Sequence, residues 1–246
     1  MVYQGSKDRI SKFIVPIIQK YIDSFHIKNY YEPFVGGANV IDKIICDNKT
    51  GSDCNKYLIS LLKYIQVDTQ ISIAPEDCQF EHYSDVRNSY NKKDNKFSDE
   101  YISLIGYCAS YGGRFFDGGF GRDKSGKRNI YRERLLNLQE QAVNLQGINF
   151  ECKDFKSINP NEYDNYLFYL DPPYKGTKSY SNQNIDYDYF WDWCRALSRN
   201  NIVIISEYAM PSDFKCIWSK ERKVMQKSNR ILADKTVEKL FIIGED

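Results

Sequence analysis

Two short apolar runs constrain this chain more than any other feature. Tyr166–Leu170 reads Tyr-Leu-Phe-Tyr-Leu and Ile202–Ser206 reads Ile-Val-Ile-Ile-Ser. Each is too short for a helix and lacks polar alternation, which predicts strands buried on both faces. Helices are expected over Lys7–Ile22, where Ile10, Phe13, Ile14, Ile17, Ile18 and Tyr21 recur at helical spacing, and over Val40–Cys46, Tyr57–Ile65, Arg132–Leu145 and Tyr187–Leu197. Further strands are expected over Tyr30–Phe34, Thr50–Asp53, Ile148–Cys152 and Leu240–Ile243. Strands alternating with helices predict an α/β fold with a largely parallel sheet covered on both sides.

Composition narrows the function classes. The balance of 42% hydrophobic and 27% charged residues over 246 positions is that of a globular protein. Net charge is only +1, so any nucleic-acid contact must use a local patch. The two histidines, His26 and His82, are far apart, which weighs against a histidine metal site or a Ser/His/Asp triad. Seven cysteines without CxxC spacing predict free thiols and a cytoplasmic location, with no metal. The N-terminal apolar stretch Phe13–Ile18 is short and holds Pro16, so it reads as neither signal peptide nor membrane anchor.

The middle of the chain differs. Residues 66–134 read as an insertion between two parts of the sheet, 1–65 and 135–246, which together form the other unit. Five glycines among aromatics between Gly112 and Gly121 predict loops and a β-hairpin. From Gly112 to Arg134 seven basic side chains stand against three acidic ones. That surplus suits phosphate contacts, with Arg114, Arg122, Lys124, Lys127 and Arg128 as the candidates.

Three places carry chemistry. Asp171-Pro172-Pro173-Tyr174 ends an apolar strand, where open α/β sheets bind ligands. Asp171 and the Pro172 carbonyl can accept the two hydrogens of a planar amine, while Tyr174 stacks on its face. Tyr31-Glu32-Pro33-Phe34-Val35-Gly36-Gly37-Ala38-Asn39 is a strand running into a glycine turn, open to close backbone approach by a ligand. It is not a GxGxxG fingerprint, and Glu32 would attract a cation such as an α-amino group. Asp53 stands about twenty residues further on, where nucleotide sites carry a ribose-binding acid. As an isolated residue it reads equally well as the N-cap of the next helix.

Glu-Pro-Phe-Val-Gly-Gly early, Asp-Pro-Pro-Tyr late and a basic segment between them resemble DNA adenine methyltransferases of the Dam type, over nearly the whole chain. The resemblance implies a Rossmann-like S-adenosylmethionine-dependent methyltransferase sheet with an inserted helical and β-hairpin target-recognition region. It implies methylation of the exocyclic amine of a flipped-out adenine in double-stranded DNA, in a short site such as GATC, by a monomer associated with restriction-modification. Tyr3 and Lys7, beside Gly5 and Ser6, correspond to N-terminal positions of the cofactor pocket. Glu32, Pro33, Phe34, Gly36 and Gly37 correspond to its loop, Asp53 to its ribose acid, and Asp171 to Tyr174 to its catalytic tetrapeptide. Arg230 and the stretch Glu238-Lys239-Leu240 resemble the family's C-terminal strand region. Tyr3 stands where tryptophan is frequent, and Ala38 replaces the second glycine of a Gly-x-Gly turn. Competing readings are methylation of RNA adenine, of a cytosine amine in DNA or of a glutamine side chain, and a catalytically silent DNA-binding protein on the same scaffold.

Overall fold

A computed structural model describes residues 1–3, 5–174, 185–222 and 236–243. Its strands are β1 (Asn29–Glu32), β2 (Asn48–Asp53), β3 (Ile148–Cys152), β4 (Tyr166–Leu170), β5 (Ile202–Glu207), β6 (Phe214–Arg222) and β7 (Thr236–Ile243). They form one sheet in the order β3-β2-β1-β4-β5-β7-β6. β1 to β5 pair in parallel, and β7 runs antiparallel to both β5 and β6. Strand order reverses between β1 and β4, so ligands are expected at the carboxyl ends of these strands.

The alternation of side chains in the central strands explains the layering. Leu167, Tyr169 and Ile204 face one core, which holds the buried stripe Ile10, Ile14, Ile18 and Ile22 of α1 (Asp8–Ser24). Leu58, Leu61, Leu62 and Ile65 of α2 (Lys56–Val67) join that core. Phe168, Leu170, Val203 and Ile205 face a second core, closed by Phe190, Trp191, Trp193 and Leu197 of α6 (Tyr187–Leu197). The strands are therefore apolar on both sides. Asn55 caps α2 by accepting the amides of Tyr57 and Leu58, and Asp186 caps α6 in the same way.

The middle segment carries α3 (Phe80–Lys92), α4 (Asp99–Cys108) and the start of α5 (Ile130–Asn144). Tyr83, Val86, Ile102, Leu104 and Ile105 belong to the same core as α1 and α2. The guanidinium of Arg134 holds the C-terminal end of α4, donating to the carbonyls of Tyr107, Cys108 and Ser110.

Three expectations need correction. No α-helix forms over 40–46; one 3-10 turn, Ile41–Lys43, stands there. Side chains satisfy the backbone instead: Lys43 donates to Asn39 O, Lys49 to Ile44 O, and Gln19 on α1 exchanges two hydrogen bonds with Ile45. The glycine-rich segment forms a 3-10 turn at Tyr111–Gly113 and a single antiparallel bridge, Ser110 to Phe120, in place of a hairpin. Phe115 and Phe116 pack inward while Tyr111 stays exposed, and a Cβ on Gly106 of α4 would lie 2.6 Å from the Phe115 ring. Finally, β6 arises where no strand was expected.

Candidate active site

The site lies where β1, β2 and β4 end and β7 begins. β4 stops because Pro172 and Pro173 have no N–H to continue the ladder, so the chain leaves the sheet at Asp171. β7 is antiparallel, which brings its beginning to the edge where the parallel strands finish. Ser206 pairs with Leu240 and Glu207 with Lys239, and Glu238 follows next along that edge. Lys7 reaches the same place from the N-terminal segment. There Gly5 takes φ +84° and the Ser6 amide bonds to Tyr3 O at 3.0 Å, turning the chain into α1.

These elements assemble one ionic cluster. The Lys7 ammonium lies 3.0 Å from Asp171 Oδ1 and 2.6 Å from Glu238 Oε1. It also donates to the Tyr174 hydroxyl, which in turn donates to Glu238. Lys7 sits 4.4 Å from the centroid of the Tyr174 ring, and the Tyr208 ring meets Tyr174 edge-on at 4.4 Å. The Glu238 side chain is fully buried and that of Asp171 is 19% exposed. Burial raises the Asp171 pKa to about 6, with Lys7 opposing the rise and Glu238 adding to it. Burial works against the Lys7 ammonium, but Asp171 and Glu238 outweigh it and its pKa is raised. The Tyr187 hydroxyl occupies the Pro173 carbonyl.

The glycine turn lies beside this cluster. Gly36 has φ +47°, and its N–H donates to Asp53 Oδ2 at 3.3 Å, tying the ends of β1 and β2. Asp53 also accepts the Asn55 amide at 2.9 Å, and burial raises its pKa. Because Asn55 caps α2, the helix-cap reading of Asp53 falls away. A Cβ on Gly37 would lie 2.8 Å from Asn39 Nδ2 and 2.9 Å from Tyr3 Cβ, so the turn is pressed against the N-terminal segment.

Ala38 takes φ +56° and is fully buried. A left-handed non-glycine residue costs roughly 1–2 kcal/mol. Glycine there would lose about 0.5–1 kcal/mol in entropy and about 0.8 kcal/mol of methyl burial. The two sides nearly cancel, which explains how alanine can replace glycine at this turn.

Glu32 is 2% exposed and accepts the Tyr30 hydroxyl at 2.6 Å. Burial raises its pKa well above the ordinary carboxylate value, with the Tyr30 hydrogen bond opposing the rise. Pro33 is buried. Phe34 packs on Phe155 and Phe190 at centroid distances of 5.3 and 5.8 Å. Asp154 and Phe155, just after β3, reach the same edge without having been singled out from the sequence. Glu238, Tyr187 and Tyr208 were also missed as site residues. For Glu238 a signal existed: strand alternation puts it on the same face as Leu240, both with no exposure. Arg230 lies outside the described residues.

The basic candidates lie apart from this cluster. Arg114, Arg122, Lys124, Lys127 and Arg128 are all exposed. Arg122 stacks on Phe80 and Phe120 at 5.0 and 5.5 Å, and Arg128 pairs with Glu133. A groove of about 670 Å³ brings Arg114, Arg128 and Arg134 together with Arg9, two residues beyond Lys7. Among the described residues no group of three or more His, Cys, Asp or Glu side chains could hold a metal ion, and no helix is long and apolar enough to cross a membrane.

Residues 3–196 match the family model of D12 class N6 adenine-specific DNA methyltransferases. The chain is also 27% identical over 201 residues to the Type II methyltransferase M.MjaIII of Methanocaldococcus jannaschii, covering 70% of this chain and 68% of that protein.

Proposed function

The chain belongs to the D12 class N6 adenine-specific DNA methyltransferases, and from that premise we propose that Asp171, Pro172, Pro173 and Tyr174 hold the target adenine while residues at the neighbouring strand ends hold S-adenosylmethionine. The single observation that carries this reading is the Asp171 carboxyl at the end of β4, paired to Lys7 at 3.0 Å beside the point where strand order reverses.

The edge of the sheet fits the cofactor. Asp53 offers a carboxylate for ribose hydroxyls, and Phe34 offers an apolar wall. Gly36 and Gly37 keep the turn free of side chains. Tyr3, Lys7, Glu32, Pro33 and Asp171 complete the set, with Glu32 and Pro33 acting from beneath as the buried support of the turn. When bound, the cofactor supplies an electrophilic methyl group on a sulfonium.

The protein's own task is to make a poor nucleophile competent. The lone pair of adenine's exocyclic nitrogen is delocalised into its ring. Asp171 and the Pro172 carbonyl accept the amine's two hydrogens and favour a pyramidal nitrogen whose lone pair is available. Positive charge developing on that nitrogen meets an acceptor already in place. With a pKa of about 6, Asp171 is ionised at neutral pH and can take the proton released. An adenine inside a duplex cannot reach this edge, so the base leaves the stack and Tyr174 supports it.

Residues 66–134 form the recognition region of this reading. Lys124 and Lys127 contact phosphates together with Arg114, Arg122 and Arg128, and the groove that Arg114 and Arg128 share with Arg9 and Arg134 extends this basic surface. The intact Lys7–Asp171 pair favours an enzyme over a silent DNA-binding protein, since nothing in mere DNA binding requires a buried ionic cluster. The test is Asp171→Ala with tritiated methyl donor and duplex DNA. Incorporation should vanish while cooperative unfolding persists; incorporation at the wild-type rate refutes the assignment.

A further inference from the structure

We propose that Glu238 is a positioning residue of the methyl transfer, dividing the Lys7 ammonium between two carboxylates so that Asp171 stays an available acceptor. The inference rests on the assignment of Asp171 above.

The argument is one of stoichiometry and placement. One ammonium faces two carboxylates and one phenol, and its shorter contact, 2.6 Å against 3.0 Å, is to Glu238. With Lys7 paired to Asp171 alone, the acceptor would be neutralised by a cation and its lone pairs directed at lysine. With Glu238 present, Lys7 is shared, and among the described residues the ionised groups of the cluster sum to one net negative charge, at the place where the amine becomes cationic. The Tyr174 hydroxyl donates to Glu238, so the same carboxylate fixes the ring proposed to support the base.

A carboxylate with no exposure on a strand costs several kcal/mol in desolvation that an apolar residue would avoid. Leu240, two positions on, shows what the face otherwise holds. Among the described residues the groups facing Asp171 are Lys7 and Tyr3 from the N-terminal segment, Glu32 from β1, Tyr169 from β4, Tyr174 beyond it and Glu238 from β7. Among them Glu238 alone joins a direct contact to Lys7 with a negative charge that raises Asp171.

The experiment compares Glu238→Gln, Lys7→Gln, the double variant and Asp171→Ala in methyl transfer to duplex DNA from pH 5 to 8.5, with thermal unfolding of each. Glu238→Gln should lower the plateau rate about tenfold, as positional losses at a reacting centre do. Its acidic limb should move down by about one pH unit, because a like charge beside Asp171 has gone. The double variant should transfer no more slowly than Lys7→Gln by more than about threefold, since both act through one contact. Glu238→Asp should recover part of the plateau. A wild-type plateau with an unmoved limb in Glu238→Gln overturns the proposal, as does a double variant whose loss is the product of the two single losses. If Glu238→Gln does not unfold cooperatively, Glu238→Met decides, because it fills the space without the charge: a plateau and limb unchanged from wild type indicate a packing role only and overturn the proposal. Wild-type transfer by Asp171→Ala would instead overturn the site assignment on which the inference stands.

Discussion

Replacing Lys7 by methionine should destabilise the protein in a pH-dependent way, and the structure sets the size. Lys7 is 7% exposed and is the cation between Asp171 and Glu238. Even with the lysine present, Asp171 titrates at about 6 against an ordinary 3.8. At ~1.4 kcal/mol per unit, its ionised form already costs about 3 kcal/mol relative to water. Methionine keeps the side-chain length and removes the charge that holds this value down, so Asp171 rises further. Leaving the Asp171 carboxylate without its cation costs about 3–5 kcal/mol. A carboxyl whose pKa is raised on folding binds its proton more tightly in the folded state. The penalty therefore applies above the folded pKa and fades as pH falls through it, from above 6 in the variant. Urea unfolding of both proteins at pH 8 and pH 5 in matched salt measures this. The variant should lose about 3–5 kcal/mol at pH 8 and at least about 1 kcal/mol less at pH 5. Equal losses at the two pH values would show that packing of the lysine stem, and not its charge, holds this end of the sheet.

The wild-type rate of methyl transfer should fall on the acid side with a midpoint near 6, because protonated Asp171 no longer accepts hydrogens from the amine; an acidic limb below 5 in a pH–rate profile would remove Asp171 from that role. Gly37→Ala places a Cβ 2.8–2.9 Å from Asn39 and Tyr3 and should cost about 1–3 kcal/mol in denaturant unfolding, with weaker S-adenosylmethionine uptake by calorimetry. Asn55→Ala removes the acceptor for two α2 amides and the donor to the Tyr107 hydroxyl; about 1 kcal/mol should be lost, seen as a melting point lower by about 2–4 °C. Lys124→Ala with Lys127→Ala should flatten the salt dependence of DNA binding by about two units of log–log slope. An unchanged slope would move the phosphate contact elsewhere.

Much of the sheet could be read from side-chain pattern because its central strands are buried on both faces. β4, β5 and α6 end at proline, acid or cap residues that stop the local pattern where the structure stops it. β6 escaped because it is an edge strand bearing Lys215, Lys220 and Glu221, with a register shift between Cys216 and Trp218. Charges and an irregular period protect an edge from pairing with other chains, and they also erase its alternating signature. The glycine-rich segment misled for the opposite reason. Gly112, Gly113 and Gly119 do take positive φ, as turns require, but Phe115 and Phe116 are drawn into the core over Gly106. Tertiary packing, not strand pairing, explains that composition. Asp171 and Asp53 stood out through their position after strands. Glu238 did not, because its meaning depends on an antiparallel strand whose place in the sheet no local pattern encodes.

Lys7 and Glu238 lie far apart in the sequence, yet they touch at 2.6 Å. Synthesis therefore delivers Lys7 well before its second carboxylate. A chain still emerging from the ribosome has Asp171 and its lysine before β7 arrives to complete the cluster. The ionic cluster is complete only once translation has passed residue 238, and a copy cut before β7 would keep Lys7 and Asp171 without their second carboxylate.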